Sequence, residues 1–145
     1  MTANAIQIVA ACLWLVLLTA LVGARLMYTR VQEMRRKVIH PQAASTSVQI
    51  AARLEDVQAA DNFRNLFEVP VLYYALAAMA IGAAHTPGWL VAGAWAYVAL
   101  RTLHSLIHCS YNEVMHRLAV FLASFALLVG LWLAFFLTLP ALRGA

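Results

Sequence analysis

The sequence predicts an all-α membrane protein, a four-transmembrane-helix bundle, and three observations carry that prediction. Hydrophobic residues make up 64% of the chain and charged residues 11%, against roughly 45–50% and 25% in soluble domains. Four apolar runs, Ala5–Ala24, Val69–Ala84, Pro87–Leu100 continuing past Arg101 to Cys109, and Leu118–Leu142, each approach the ~20 residues that a spanning helix needs. One long polar stretch separates the first two runs, and 145 residues amount to a single domain. The expected product is an integral multi-pass protein of the cell's inner or plasma membrane.

The first span is expected over about residues 5–28. Val22-Gly23-Ala24 resembles a signal cleavage site, but no basic region precedes the apolar run and the run exceeds a usual signal core, so it is taken as a retained helix. A loop over about residues 29–61 follows. Arg25, Arg30, Arg35, Arg36, Lys37 and Arg53 cluster around it, whereas the turn His85–Gly88 has no Lys or Arg. Cytoplasmic loops collect such charge, which puts this loop in the cytoplasm and both termini on the opposite side, with Arg143 a minor exception. The net charge of +4 does not indicate nucleic acid, because Arg30–Lys37 is short, interleaved with Glu33 and beside a membrane helix; topology and anionic headgroups account for it.

Proline disfavours helix in the residue before it, so His40-Pro41 breaks the loop. Ser45, Thr46 or Ser47 then caps a new helix. Ile50, Leu54 and Val57 recur at helical spacing and nothing interrupts the pattern before Pro70, so the second membrane helix is expected from about residue 48 to 84, protruding into the cytoplasm. Small residues in Ala78-x-x-x-Gly82 and Gly88-x-x-x-Ala92-x-x-x-Ala96 predict a close approach of the second and third spans. The third is expected over about residues 87–111 and the fourth over about 116–140. Trp89, Trp95 and Trp132 suit lipid-facing or interfacial anchors. Cys12 and Cys109 fall towards opposite faces and are not expected to bond.

The chemistry lies on two helical stripes. Asp61, Arg64, Asn65 and Glu68 share one face of the second helix, and Arg101, His104, Ser105, His108 and Asn112 one face of the third. Burying Arg101 at bilayer depth costs at least ~2.5–3.5 kcal/mol, so such a residue needs a partner and usually marks a site. Counting ~1.5 Å per residue from the turn places Glu68, Arg101 and His104 roughly 20–25 Å along the hairpin and Arg64 and His108 near 30 Å. Glu68 is therefore set against Arg101 and His104, with Arg64 beside His108 and Arg117 in the same layer. Guanidiniums in such surroundings bind carboxylates by charge-assisted bonds, and a carboxylate suits an amine. The layer thus suits a small polar anion carrying an amine, next to apolar walls that admit a lipophilic second substrate.

Arg64-Asn65-Leu66-Phe67-Glu68, then Arg101-x-x-His104-Ser105-x-x-His108, then Arg117 resemble the membrane-associated proteins in eicosanoid and glutathione metabolism, the MAPEG family, over roughly residues 8 to 140. The resemblance implies a homotrimer with glutathione as cosubstrate between subunits near the cytoplasmic side, activated for attack on a lipophilic electrophile in a transferase or peroxidase reaction. Carried over by position, Arg64, Asn65 and Glu68 hold the glutathione backbone, with Glu68 on the amino group or on Arg101, and His104 helps to position it. Arg117 matches the arginine that stabilises the thiolate, as a nearby cation lowers a thiol's pKa. The nucleophile is the cosubstrate's sulfur, so no protein cysteine is needed.

Two positions depart from the prostaglandin-synthase pattern: His108, expected to be catalytic together with Arg117, stands where that pattern has a tyrosine, and Asp61 where it has an arginine contacting glutathione. Tyr111 offers an alternative phenol, and Arg35 or Arg36 a carboxylate clamp from the first helix. Three other readings fit the same residues. Glu68–Arg101 can be a purely structural intramembrane pair. His104, His108, Cys109 and His116 can suggest zinc or copper, but no further ligand occupies the matching helical position, so no metal is expected. The same family also contains a non-catalytic lipid-binding protein, which makes a lipid-binding or scaffold role the alternative function.

Overall fold

The computed structural model describes residues 1–44, 46–55 and 57–139; Ser45, one of the three capping candidates, and Arg143 lie outside these. Among the described residues six α-helices follow one another: α1 (Ala3–Arg36), α2 (Ser47–Arg53), α3 (Gln58–Glu68), α4 (Pro70–Gly82), α5 (Gly88–Cys109) and α6 (Val114–Thr138), with a 3-10 turn at Pro41–Ala44. Four stretches are long and apolar enough to cross a membrane: α1, α3 with α4, α5 and α6. The protein is an integral multi-pass membrane protein.

α1 runs 34 residues, about 50 Å at 1.5 Å per residue, well beyond the ~30 Å of a hydrocarbon core. The loop expected from residue 29 is therefore helical as far as Arg36. Charge ends a membrane crossing but not a helix; no Gly or Pro occurs between Arg25 and Pro41, and Arg35 and Arg36 in the last turn suit the negative end of the helix dipole.

The continuous second helix expected from residue 48 is also absent. Thr46 caps α2 and forms a capping box with Gln49, but α2 ends at Arg53 and Leu54 turns extended and buried. The end of α1 takes hold of the backbone there. Lys37 Nζ donates to the Arg53 carbonyl at 3.1 Å and contacts Glu55 and Glu33 at 2.8 Å each, and the Glu55 N–H donates to Glu33 Oε1 at 2.8 Å. This latch fixes the connection, and the hydrogen bonds from Lys37 to Glu33 and Glu55 raise the Lys37 pKa above its ordinary value.

The second span breaks again at Val69, with Pro70 opening α4. Proline has no N–H for the carbonyl four residues back and suits the first position of a helix.

α5 is the central element, packed on α1, α3 and α6. Its inner face carries Leu90, Ala94, Tyr97 and Val98, then Arg101, His104, Ser105 and His108, all buried. The apolar half meets Ile8, Ala11 and Leu15 of α1, Tyr73, Leu76, Ala77 and Ala80 of α4, and Leu128, Leu131 and Phe135 of α6. Gly82 and Gly88 do not produce the close approach expected of them, since a Cβ on either meets nothing within 4 Å. The glycine that matters is Gly93, where a Cβ would collide with Leu131 of α6. The indole N–H groups of Trp95 and Trp132 bond to Gln7 and to the Leu72 carbonyl, so these residues tie helices together as well as meeting lipid.

Candidate functional site

α3, α5 and the start of α6 converge at the end of the bundle that bears the α1–α3 connection. A cavity of about 410 Å³ is lined there by Asp61, Arg64, Asn65 and Glu68 of α3, His104 and His108 of α5, and Arg117 of α6, with Val114, Leu118 and Phe121 as an apolar wall. Of the two polar stripes read from the sequence, Arg101, Ser105 and Asn112 lie outside the lining.

The i, i+3, i+4, i+7 spacing of the α3 stripe turns four polar residues towards the cavity while Phe63, Leu66 and Phe67 line the opposite side of the same helix. That opposite side forms an apolar groove of about 520 Å³ against Val16, Thr19, Ala20 and Gly23 of α1, with Val71 and Tyr74 of α4. Phe63 seats over Gly23, where a Cβ would stand 3.0 Å from its ring.

Arg117 is fixed by two acceptors: its Nη1 donates to His108 Nε2 at 2.9 Å and to Asn112 Oδ1 at 2.8 Å. Both hydrogens of Nη1 are thereby used, leaving Nη2 and Nε for other partners. Asn112 reaches this position through a left-handed backbone (φ 49°) just after α5, a conformation asparagine tolerates; its N–H bonds back to the Ile107 carbonyl.

These bonds also settle two tautomers. A guanidinium only donates, so His108 Nε2 accepts and the hydrogen sits on Nδ1, which is buried without a partner. A carbonyl only accepts, so His104 Nδ1 donates to the Arg117 carbonyl at 3.3 Å, and the buried Nε2 of His104 has no partner among the described residues.

Arg101 is 1% exposed and does not pair with Glu68. Its Nη2 donates to the Asn65 carbonyl at 3.0 Å and its Nη1 to Ser124 Oγ at 3.4 Å, with the guanidinium over the Phe121 ring at 5.4 Å. The expected ion pair gives way to a helix-end contact. The Asn65 carbonyl lies in the last turn of α3, at the negative pole of that helix. Glu68 is left exposed on the cavity rim with no ion pair or hydrogen bond among the described residues.

Tyr111 supplies no phenol here; its hydroxyl faces His116 at 3.3 Å, outside the lining. Arg35 and Arg36 do not line this cavity either: Arg36 borders a separate polar hollow with Glu33 and Glu55, and Arg35 an apolar one.

Residues that pattern reading missed hold the layer from behind. Asn62, fully buried, accepts from the Ser105 hydroxyl at 3.3 Å and donates to Cys109 Sγ at 3.3 Å, and Ser124 meets Arg101. Their signal was a lone polar residue on an otherwise apolar helix face.

Fold and cavity together define a four-span membrane protein with a charged hollow at one end of its bundle. The chain belongs to the MAPEG family, whose family model matches residues 8–137. No curated protein and no solved structure matches it.

Proposed function

We propose that the protein is a glutathione-dependent membrane transferase or peroxidase working on lipophilic electrophiles. The observation that carries the reading is the buried, unpartnered Nε2 of His104 in the same lining as Arg117, whose Nη1 is held and whose other donors are free. A base without a proton beside a fixed cation is what deprotonating a thiol and holding the thiolate require.

Glutathione, when bound, supplies the nucleophilic sulfur. The cavity volume falls in the ~300–1,000 Å³ range of small-ligand sites, and the unpaired side chains suit the charges of glutathione. Arg64 takes a carboxylate, Glu68 takes the amino group, and the Asn65 side chain supplies amide bonds. His104 Nε2 accepts the thiol proton, and Arg117 holds the negative charge with Nη2 and Nε. His108 orients Arg117 and does not itself move a proton, because its Nε2 is already an acceptor. Val114, Leu118 and Phe121 offer the electrophile an apolar wall. The same reading carries a homotrimer from family kinship, and a cytoplasmic position for this end of the bundle from the basic residues around the α1–α3 connection.

Titrating the purified protein with glutathione while following ultraviolet thiolate absorbance tests the reading. A saturable thiolate signal that disappears in Arg117→Ala is expected. Absence of binding at millimolar glutathione, or an unchanged signal in Arg117→Ala, would sink it.

The apolar groove on the far side of α3 favours the second reading, a lipid-binding or scaffold protein. It holds a lipid chain within one protomer without involving the charged layer. Ligand co-purified in that groove, together with indifference to thiols, is the result that reading requires.

A further inference from the structure

We infer that Asn112 is a positioning residue for Arg117, holding the guanidinium through a neutral oxygen so that its charge is kept for the bound sulfur. The inference rests on the thiol-transfer reading above and adds to it a residue outside the cavity lining.

Asn112 stands in the short connection between α5 and α6. Its backbone is left-handed, φ 49°, and its N–H closes the end of α5 on the Ile107 carbonyl at 2.9 Å. Glycine, asparagine and aspartate take this conformation at the least cost. Glycine brings no side-chain acceptor and aspartate brings a charged one. Asparagine alone of the three offers a neutral oxygen, and here that oxygen takes an Nη1 hydrogen of Arg117 at 2.8 Å. His108 Nε2, the second acceptor at 2.9 Å, accepts through the lone pair of an uncharged ring.

The Lys37 latch shows the other way of holding a cation. There two carboxylates, Glu33 and Glu55, contact the ammonium at 2.8 Å each, and its charge is matched on the spot. A carboxylate on Arg117 would do the same and weaken its pull on a thiolate. A guanidinium held by neutral acceptors stays in place and keeps its positive charge for an anion. Asp61 and Glu68 of α3 share the lining with Arg117, and Asp61 acts electrostatically on His108. These groups, Arg64, His104 and any supplied by another subunit are the same whichever residue stands at position 112, so substitution there isolates the clamp.

The experiment is a pH titration of thiolate absorbance for glutathione bound at saturation to the purified full-length protein, to Asn112→Gly and to Asn112→Asp. Both variants suit the left-handed backbone. Asn112→Asp also keeps the hydrogen bond, so it reports even if the glycine variant fails to fold. The thiolate midpoint is expected to rise by about half a pH unit in Asn112→Gly, where Arg117 loses one of its two holds. It should rise by about one unit or more in Asn112→Asp, where a carboxylate offsets the charge. At neutral pH kcat should fall roughly three- to tenfold in step with the midpoint and return as pH is raised, while KM changes less than about twofold. A merely structural Asn112 predicts the opposite order, with Asn112→Asp close to the unmodified protein. An unmoved midpoint in either folded variant, a lower midpoint in Asn112→Asp than in Asn112→Gly, loss of glutathione binding by a folded variant, or a rate loss that pH does not restore would overturn the inference and leave thiol binding by the unmodified protein standing. No thiolate signal from the unmodified protein would overturn it together with the function it refines.

Discussion

The two ends of this bundle handle polar groups in opposite ways. At the end where α1 begins, the α4–α5 turn passes and α6 stops, polar side chains meet one another: Thr2 Oγ1 contacts Thr86 Oγ1 at 3.1 Å, Asn4 Nδ2 donates to the Thr86 carbonyl at 2.8 Å, and His85 Nε2 contacts Thr138 Oγ1 at 3.2 Å. At the other end, buried Arg101 Nε, His104 Nε2 and His108 Nδ1 have no partner among the described residues, and Asp61, Arg64 and Glu68 line a hollow without pairing there. Membrane proteins satisfy buried polar groups internally because lipid offers no alternative. A region that leaves them open does so where something else is to be held. The first end is a clasp, and the second is the candidate site.

The widest contrast comes from Arg117→Ala, which removes the free donors of the open end. Turnover of a lipophilic electrophile with glutathione should fall by about 10²–10³-fold, the cost of losing one preorganised donor to developing charge, in steady-state assays. His104→Gln comes next: it keeps a donor for the Arg117 carbonyl but removes the basic nitrogen, and kcat should fall about 10²-fold, towards the lower end of general-base contributions. KM should hardly move, and part of the rate should return as pH is raised and the thiol ionises unaided.

Gly93→Ala tests the packing that supports both ends, since its Cβ would collide with Leu131. It should lower stability by about 1–3 kcal/mol, the range for overpacking, measured as a lower Tm in detergent. Asn4→Ala breaks only the clasp and should cost about 1 kcal/mol, the net value of one hydrogen bond, without changing thiol binding. A loss of binding in that variant would erase the distinction between the two ends.

The smallest effect concerns the Lys37 latch. Its folded-state pKa is raised, so its contribution is fully present below the ordinary lysine value and fades as pH climbs through the higher folded value. The protection factor of the Glu55 amide, which bonds to Glu33, should be steady across neutral pH and fall only in strong alkali. Lys37→Met should reproduce that loss of protection at neutral pH.

The fold class was legible because hydropathy reports what lipid demands, and the third and fourth spans lie near their expected ranges. The ends of the first span and the start of the second were not, because the latch of Lys37, Glu33 and Glu55 is made by residues up to 22 apart in sequence. No local pattern records that contact. Helical spacing brought seven site residues to one lining, but it could not choose partners within the layer. Charge complementarity suggested Glu68 for Arg101, whereas the geometry gives Arg101 a main-chain carbonyl in the last turn of α3. Asn62 and Ser124 were illegible because a single buried polar residue looks the same in sequence whether it braces a site or faces away from it.

The break at Val69–Pro70 makes the arginine and the proline interdependent. Pro70 offers no N–H to the Leu66 carbonyl, and Arg101 brings a cation from the neighbouring helix to the adjacent Asn65 carbonyl in the same last turn of α3. Arg101→Met alone should loosen the α3 stripe and raise KM for glutathione. Coupled with Pro70→Ala, which restores a straight helix, the same change should become nearly silent. The two residues then act on one helix end, so that the cost of losing the cation depends on whether residue 70 carries an N–H.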